Sequence, residues 1–167
     1  MMGWVTMDQP NSKRALRMAE RLWEAGDLRA ARRRYLLSVR HAPKNRGAWG
    51  CLSSICMELG NLHEALHAAH RMRILCQQDD TSSPNALALS CIQISRVHAE
   101  ARRTILAERY LRKSLEIYQK VDAHVLLGSS LGNRGKTAEA MRCFRRGLRL
   151  DPSNEECHHF LGLTYKK

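Results

Sequence analysis

The clearest helical pattern of the chain lies in residues 121–154, VDAHVLLGSSLGNRGKTAEAMRCFRRGLRLDPSN. Leu127, Gly128 and Leu131 share one face of a first helix, and the missing side chain of Gly128 lets a second helix approach closely. Gly135 can adopt the left-handed conformation that ends a helix without steric cost. The stretch therefore predicts two helices that fold back on each other across a short turn.

The second helix of this stretch carries a matching face of small and apolar residues. Ala140, Phe144 and Gly147 recur at four- and three-residue steps, so we expect them to pack against the first helix. Pro152 cannot prolong the second helix, and Ser153–Asn154 offer an N-cap to a following one. Residues 121–154 thus form one complete predicted unit.

The same pattern recurs earlier in the chain at a spacing of 34 residues. When the sequence is shifted by 34 residues, Gly26 falls onto Gly60 and Ala31 falls onto Ala65. A fixed spacing of this length is typical of proteins built from stacked helical repeats. One such pair cannot bury its apolar face alone, so several pairs are expected to stack.

The third unit departs most from the pattern. Ala65 and Ala107 lie 42 residues apart, eight more than the repeat spacing, and the extra residues fall around 79–86. That segment predicts a capped loop or an extended helix start. No glycine marks the internal turn of this unit, so Arg102–Thr104 must form it.

These observations predict an all-α chain of four helix pairs and a final helix. The predicted pieces are a mobile segment over residues 1–11, units over 12–45, 46–79, 84–120 and 121–154, and a capping helix over 155–165. Ser12 is the predicted N-cap of the first helix, and Asp27 that of the second. Asn61 and Glu64 suggest a capping box at the second helix of the second unit.

The spacing of tryptophan, leucine–glycine, alanine, aromatic and proline residues resembles the tetratricopeptide repeat over nearly the whole chain. The matching residues are Trp49, Leu127–Gly128, Leu161–Tyr165, Ala31, Ala65, Ala140, Tyr35, Phe144, Pro43 and Pro152. This resemblance implies a right-handed superhelical solenoid of antiparallel helix pairs. First helices would line a concave groove, and second helices would form a convex back.

The composition restricts the class of protein. The formal net charge of +12 favours acidic partners such as nucleic acid, a phosphoinositide surface or an acidic protein, although an arginine-rich composition explains it equally well. The six cysteines form no CxxC pair and are interpreted as reduced thiols. No run approaches the ~20 apolar residues of a membrane helix, and no signal peptide is evident. We therefore expect a cytoplasmic chain, with the nucleus as the alternative.

No catalytic constellation is evident in the sequence. It shows no nucleophile with a neighbouring base, no glycine-rich phosphate loop and no spaced carboxylate pair. His63, His67 and His70 share one helix face, and Cys157–His159 stand near the end of the chain, but no further ligand accompanies either cluster. We predict neither an enzyme nor a cofactor nor a metal site.

The resemblance implies that a peptide or helix of a partner protein binds the concave groove. Trp23 and Met57 are the candidate apolar anchors, and Arg17 and Arg96 are the candidate anion contacts. The full set of groove candidates is Lys13, Arg17, Glu20, Trp23, Cys51, Ser54, Met57, Gln93, Arg96, Val125, Ser129 and Asn133. Alternatively, these are ordinary solvated helix positions.

One family-specific mode of binding is not predicted. Some tetratricopeptide-repeat proteins hold the C-terminal carboxylate of heat-shock chaperones with lysines, asparagines and an arginine on successive first helices. The corresponding positions here include Leu16, Glu20, Cys51 and Leu89. None of these side chains can hold a carboxylate in that way, so the clamp is absent.

Arginines on the second helices suggest an alternative function. They recur on outward faces, and the candidates are Arg29, Arg33, Arg109, Arg112, Arg142, Arg145, Arg146 and Arg149. Such a basic back could bind RNA or another polyanion with strong salt dependence. Few aromatic residues interleave with the arginines, so base stacking has little support, and a solvated face is the commoner explanation.

The last predicted helix leaves two alternatives open. The sequence LGLTYKK ends where a second helix would cover Leu161 and Tyr165. Another copy of the chain could supply that cover by self-association. The alternative is that the chain is a short form of a longer repeat array.

Overall fold

The computed structural model describes residues 9–79 and 82–165. Over those residues the chain forms nine helices and no strand, so the predicted all-α class is confirmed. The chain divides into two compact units, Met1–Thr81 and Ser82–Lys167, called here the N-terminal and the C-terminal unit. Trp4 and Val5 of the predicted mobile segment lie outside the described residues.

The N-terminal unit contains two helix pairs. Its helices are α1 (Gln9–Glu24), α2 (Leu28–His41), α3 (Arg46–Glu58) and α4 (Leu62–Gln78). α1 packs on α2, α3 packs on α4, and α2 joins the pairs by packing on α3. The predicted marker residues Ala31 and Ala65 are fully buried, as are the large side chains of Tyr35 and Leu52.

The C-terminal unit contains two further pairs and a final helix. Its helices are α5 (Pro84–Glu100), α6 (Thr104–Ile117), α7 (Val121–Asn133), α8 (Thr137–Leu150) and α9 (Glu155–Tyr165). α5 packs on α6, α7 packs on α8, and α6 packs on α7. α9 contacts both α8 and α7, and Leu127, Phe144 and Cys157 lie in the shared core.

The four turns inside the pairs have one backbone geometry. Gly26, Gly60 and Gly135 have φ angles of 80°, 75° and 76°, and Arg102 takes the same left-handed region with φ 57°. In the Arg102 turn, the backbone N–H of Arg103 donates to the carbonyl of His98, as expected of a Schellman helix end. The turn lies at Ala101–Arg103, one residue before the predicted Arg102–Thr104, and there an arginine adopts a conformation suited to glycine.

One predicted helix start and one predicted capping box are wrong. α1 begins at Gln9, so Ser12 lies inside the helix, only 4% exposed, and its hydroxyl donates to the carbonyl of Ser38 at 3.3 Å. Residues 9–11 therefore belong to α1 and not to a mobile segment. α4 begins after Asn61 as predicted, but Asn61 makes no side-chain cap, and the Glu64 carboxylate binds Arg32 of α2.

Other caps agree with the sequence patterns. The Asp27 carboxylate accepts from the N–H of Ala30 at 2.9 Å, and Asn154 accepts from the N–H of Cys157 at 3.0 Å. Ser83 caps α5, whose first residue is Pro84. α4 and α5 are each 17 residues long, so lengthened helices absorb part of the extra sequence near residues 79–86.

Close packing in the C-terminal unit depends on two glycines. A Cβ on Gly128 would lie 2.6 Å from the Phe144 ring, and a Cβ on Gly147 would lie 2.7 Å from the Cys157 thiol. Both positions therefore allow a neighbouring helix to reach the backbone, as the sequence predicts for Gly128.

Among the described residues, no helix combines the length and apolarity needed to cross a membrane.

Candidate binding surfaces

The predicted groove residues of α1 differ in exposure. Lys13, Arg17 and Glu20 are exposed, whereas Trp23 is half-buried. The Trp23 ring meets the Tyr35 ring edge to face, with centroids 6.3 Å apart and planes at 85°. Part of Trp23 therefore stabilises the α1–α2 pair, and only its remaining surface is available to a ligand.

The predicted groove residues of α3 are all half-buried. They are Cys51, Ser54 and Met57. The Cys51 thiol lies against the buried Tyr35 hydroxyl in a geometry that falls short of a hydrogen bond. Burial raises the pKa of the Cys51 thiol and also that of Tyr35. Neither group is prepared as a nucleophile, since both are held in the protonated form.

One predicted groove residue of the C-terminal unit is buried. Val125 is only 5% exposed and belongs to the core, so it has little surface for a ligand. α6, α8 and α9 all pack on α7, so fewer of its residues are exposed than its sequence pattern suggests. Gln93 and Ser129 are half-buried, and Arg96 and Asn133 are exposed.

A recess of about 220 Å³ opens between α7, α8 and α9. Its lining residues are Gly128, Ser129, Gly132, Asn133, Thr137, Phe144, Phe160, Leu163 and Thr164. The Phe144 and Phe160 rings stack with centroids 5.3 Å apart and planes at 12°. Its lining combines glycines, two aromatic rings and a leucine with the hydroxyl and amide groups of serine, threonine and asparagine.

The recess brings together residues that sequence reasoning found and residues that it missed. Ser129 and Asn133 are predicted groove residues, whereas Phe160 and Leu163 of α9 are not. The spacing of Gly128 and Gly132 at i and i+4 was the available signal, because two glycines on one helix face leave room beside it. Whether the space beside these glycines is filled or stays open depends on where α9 packs.

From the sequence, Leu161 and Tyr165 of the final helix were expected to lack a second helix that covers them. Leu161 is half-buried against the core of the C-terminal unit, whereas Leu163 is 48% exposed. The side chain of Tyr165 lies outside the described side chains. The exposed apolar surface of α9 therefore faces the recess rather than standing apart from it.

The predicted basic residues are exposed on α2, α6 and α8. The set is Arg29, Arg33, Arg109, Arg112, Arg142, Arg145, Arg146 and Arg149. Arg112 pairs with Glu139 at 3.6 Å, so part of its charge is compensated. Arg142, Arg146 and Arg149 form no ion pair with any carboxylate that the structure describes.

Two polar contacts between helices of different pairs were not found from the sequence. Glu108 of α6 is 6% exposed and binds Arg134 at 2.7 Å and the Ser130 hydroxyl at 3.0 Å, both at the C-terminal end of α7. In the N-terminal unit, Arg32 of α2 binds Glu64 of α4 at 2.6 Å. These contacts join helices from different pairs, so they serve packing rather than a ligand.

The comparison with family models matches residues 121–154 to the tetratricopeptide repeat. These residues correspond to helices α7 and α8 and the two connecting segments that follow them. Residues 121–154 are thus a tetratricopeptide repeat, and the chain has the tetratricopeptide-repeat fold. The search of curated protein sequences gave no match.

Solved structures with the tetratricopeptide-repeat fold resemble the chain over most of its length. MamA from Desulfovibrio magneticus RS-1 is 16% identical with a TM-score of 0.73, covering 94% of this chain and 85% of that one. YrrB, a TPR protein with an unusual peptide-binding site, is 18% identical with a TM-score of 0.62, covering 91% and 75%.

A third structure is a tetratricopeptide repeat protein from Parabacteroides merdae ATCC 43184. It is 15% identical with a TM-score of 0.75, and the match covers 95% of this chain and 60% of that one. Identities this low support the shared fold and leave the ligand to be argued from the residues themselves.

Proposed function

We propose that this chain is a non-catalytic scaffold that binds a peptide or helix of a partner protein along the first helices of its repeats. The recess between α7, α8 and α9 carries the proposal, because it is an apolar depression beside the predicted groove residues Ser129 and Asn133. A tetratricopeptide-repeat fold suits this role, since such solenoids offer extended surfaces rather than enclosed catalytic pockets.

The chemistry of the recess selects the kind of side chain that would enter it. The half-buried Phe160 ring, backed by the buried Phe144 ring, favours an aromatic or branched aliphatic side chain, which gains contact with Phe160 and Leu163 on leaving water. Asn133 at the edge can donate to and accept from a peptide backbone. A single apolar anchor flanked by backbone contacts is therefore the expected mode of binding.

The N-terminal unit would contribute in a similar way. The half-buried side chains of Trp23 and Met57 offer apolar contact, and the exposed Arg17 offers a contact for an acidic residue. In the C-terminal unit Arg96 would make the corresponding anion contact. We infer that in each unit the arginine sets the charge preference, and that the recess supplies the apolar anchor of a segment bound to the C-terminal unit.

A peptide selection tests the proposal. Peptides displayed on phage would be selected on the full chain, and their affinities measured for the variants Ser129→Trp and Ala138→Trp. Ser129→Trp places a ring in the recess, whereas Ala138→Trp places the same ring at an exposed position of α8. We expect the first variant to weaken binding by at least about tenfold and the second by less than about twofold.

Three outcomes would contradict this assignment. They are that no peptide is selected, that the selected peptides lack an aromatic or branched aliphatic residue in common, and that both variants bind equally well. Circular dichroism of each variant checks that the helices are retained. Replacement of Arg17 and Arg96 by Glu should separately weaken binding of acidic peptides.

A second candidate function rests on the uncompensated charge of α8. Arg142, Arg146 and Arg149 are exposed and lack ion pairs within the described residues, so their side chains could contact phosphates of RNA or another polyanion. Binding of a single-stranded oligonucleotide should then weaken steeply with salt and be lost when these three arginines become Glu. Absence of binding at low salt would remove this candidate.

A further inference from the structure

A second surface, on the outer side of the α1–α2 pair, combines apolar and basic side chains. A depression runs between the two helices and is lined on α1 by Met18 and Leu22 and on α2 by Ala30, Leu36 and Leu37. Met18 is 45% exposed and Leu37 is 37% exposed, so this apolar strip remains in contact with solvent. We call it the α1–α2 face.

Arginines flank the apolar strip on both helices. They are Arg14, Arg17 and Arg21 on α1 and Arg33, Arg34 and Arg40 on α2. All six are exposed, and none pairs with a carboxylate in the part of the chain that the structure describes. No described carboxylate lines the depression. The face is therefore an apolar strip between two rows of unpaired positive charge.

Glu20 and Glu24, the acidic residues of α1, do not line the depression. Glu20 and Glu24 both raise the pKa of Tyr35, which is buried on the inner side of the pair, although burial is the main cause. Neither acid forms an ion pair with an arginine of the α1–α2 face among the described residues, so the positive charge of this face stays available to a ligand.

We propose that the α1–α2 face binds an acidic amphipathic helix of a partner protein. A groove between two packed helices accepts the ridge of a third helix, and the exposed Met18 and Leu37 would cover the apolar side of that helix. Carboxylates on its flanks would meet the arginines, which bind carboxylates through two parallel hydrogen bonds. This surface is distinct from the α7–α9 recess and shares only Arg17 with the proposed groove contacts, so variants at Arg21, Arg33 and Arg40 test it separately.

The apolar strip and the charge together favour this occupant over others. Phosphates of RNA would satisfy the arginines but would leave Met18, Leu22 and Leu37 without apolar contact. Residues 1–8 contain one carboxylate, Asp8, against six arginines. A second copy carries the same net charge of +12, so its approach to a basic face is opposed.

A designed peptide provides the direct probe. A fluorescein-labelled amphipathic peptide of about 18 residues would carry leucines at i, i+3, i+4 and i+7 and glutamates on both flanks. Fluorescence anisotropy at physiological salt measures its affinity for the full chain. A peptide of the same composition in scrambled order keeps the charge but lacks the apolar face, so we expect it to bind at least about tenfold more weakly.

Two charge-matched variants locate the site. Arg21→Glu, Arg33→Glu and Arg40→Glu change the α1–α2 face, whereas Arg142→Glu, Arg146→Glu and Arg149→Glu lower the net charge equally on α8. We expect the first triple variant to weaken peptide binding by at least about tenfold and the second by less than about threefold. Met18→Ser tests the apolar strip without changing charge, and it should weaken binding by about threefold to tenfold.

Several results would overturn the proposal. Equal weakening by both triple variants, or equal binding of the scrambled peptide, would reduce the interaction to non-specific attraction. Stronger binding of a single-stranded RNA or of anionic vesicles that is lost in the first triple variant would assign the face to that ligand instead.

The remaining occupants are tested with the same proteins. Light scattering would detect a dimer that the first triple variant disrupts, and such a dimer would assign the face to a second copy. A chain lacking residues 1–8 that binds the peptide at least about tenfold more tightly would assign it to the chain's own N-terminal segment. Unchanged affinity and a monomer are the expected results.

Discussion

The ring of Phe144 occupies the space that a side chain at residue 128 would require. A Cβ built on Gly128 would lie 2.6 Å from Cε1 of that ring, and the same ring stacks on Phe160 of α9. The close contact between α7 and α8 and the wall of the recess therefore both require glycine at residue 128.

Replacing Gly128 by Ala should destabilise the chain. The added methyl group forces the Phe144 ring to shift in a packed core, and such overpacking typically costs about 1–3 kcal/mol. We expect the free energy of unfolding in urea to fall by about that amount. Gly132→Ala is the matched control, because its Cβ would meet Ala140 at an ordinary 3.8 Å. If both variants were equally stable, the role of the close approach would be wrong.

Replacing Arg102 by Gly should stabilise the chain. Arg102 holds a φ of 57°, a region that costs a residue with a side chain about 1–2 kcal/mol relative to glycine. Glycine also loses more conformational entropy on folding, so we expect a net gain of about 0.5–1 kcal/mol in urea unfolding. The reverse change, Gly135→Arg, should cost about 1 kcal/mol at the equivalent turn. A loss of stability in Arg102→Gly would contradict this account.

Breaking the Glu108–Arg134 pair should have unequal effects at its two ends. Glu108 is almost fully buried, whereas Arg134 can turn towards water. Arg134→Met would leave a buried carboxylate with only Ser130 as partner, so we expect a loss of about 2–4 kcal/mol in urea unfolding.

The other end of the pair provides the control. Glu108→Gln keeps an acceptor for Ser130 and leaves Arg134 free to find water, so its cost should be smaller, about 1–2 kcal/mol. A larger cost for Glu108→Gln than for Arg134→Met would show that burial of the carboxylate does not govern the pair.

The stability of the chain should fall as the pH drops below about 6.5. Burial, together with the charges of Arg146 and Arg149, lowers the pKa of His124 below its ordinary 6.5, and burial also lowers that of His70. Between the folded and unfolded pKa values the unfolded chain binds more protons, so acid favours unfolding in that window. Urea unfolding at pH 7.5 and 5.5 measures the difference.

Variants identify the histidine responsible. His124→Gln should reduce the dependence of stability on pH between these two values, whereas His63→Gln, at an exposed position of α4, should leave it unchanged. An unaltered pH dependence in His124→Gln would show that other groups control acid unfolding. The Gln119 side chain contacts His124 at 2.9 Å, so a substitution of Gln119 is a second way to alter the surroundings of this histidine.

Much of the fold follows from short-range patterns. The small residues Gly128, Ala31 and Ala65 lie where helices meet, and a turn without glycine forms at Ala101–Arg103, within one residue of its predicted position. These features can be predicted because residues on one helix face recur every three to four positions. A pair of helices must also bury that face against its neighbour.

The same patterns do not reveal which distant side chains meet. Glu64 matches a capping box in sequence, but in the fold it binds Arg32, which lies 32 residues earlier. Ser12 has the character of a cap, yet it is buried against Ser38 within a helix that starts before it. In both cases a long-range partner competes with a local one, and only packing determines the outcome.

For binding, the sequence by itself determined that the chain presents stacked helix pairs with arginines on their outer faces. Only the tertiary structure decided that Val125 is buried, that Phe160 and Leu163 complete a recess beside Ser129, and that the arginines of α1 and α2 enclose an apolar strip. The physical reason is that helical periodicity assigns residues to faces, whereas burial and clefts arise from how several helices pack at once.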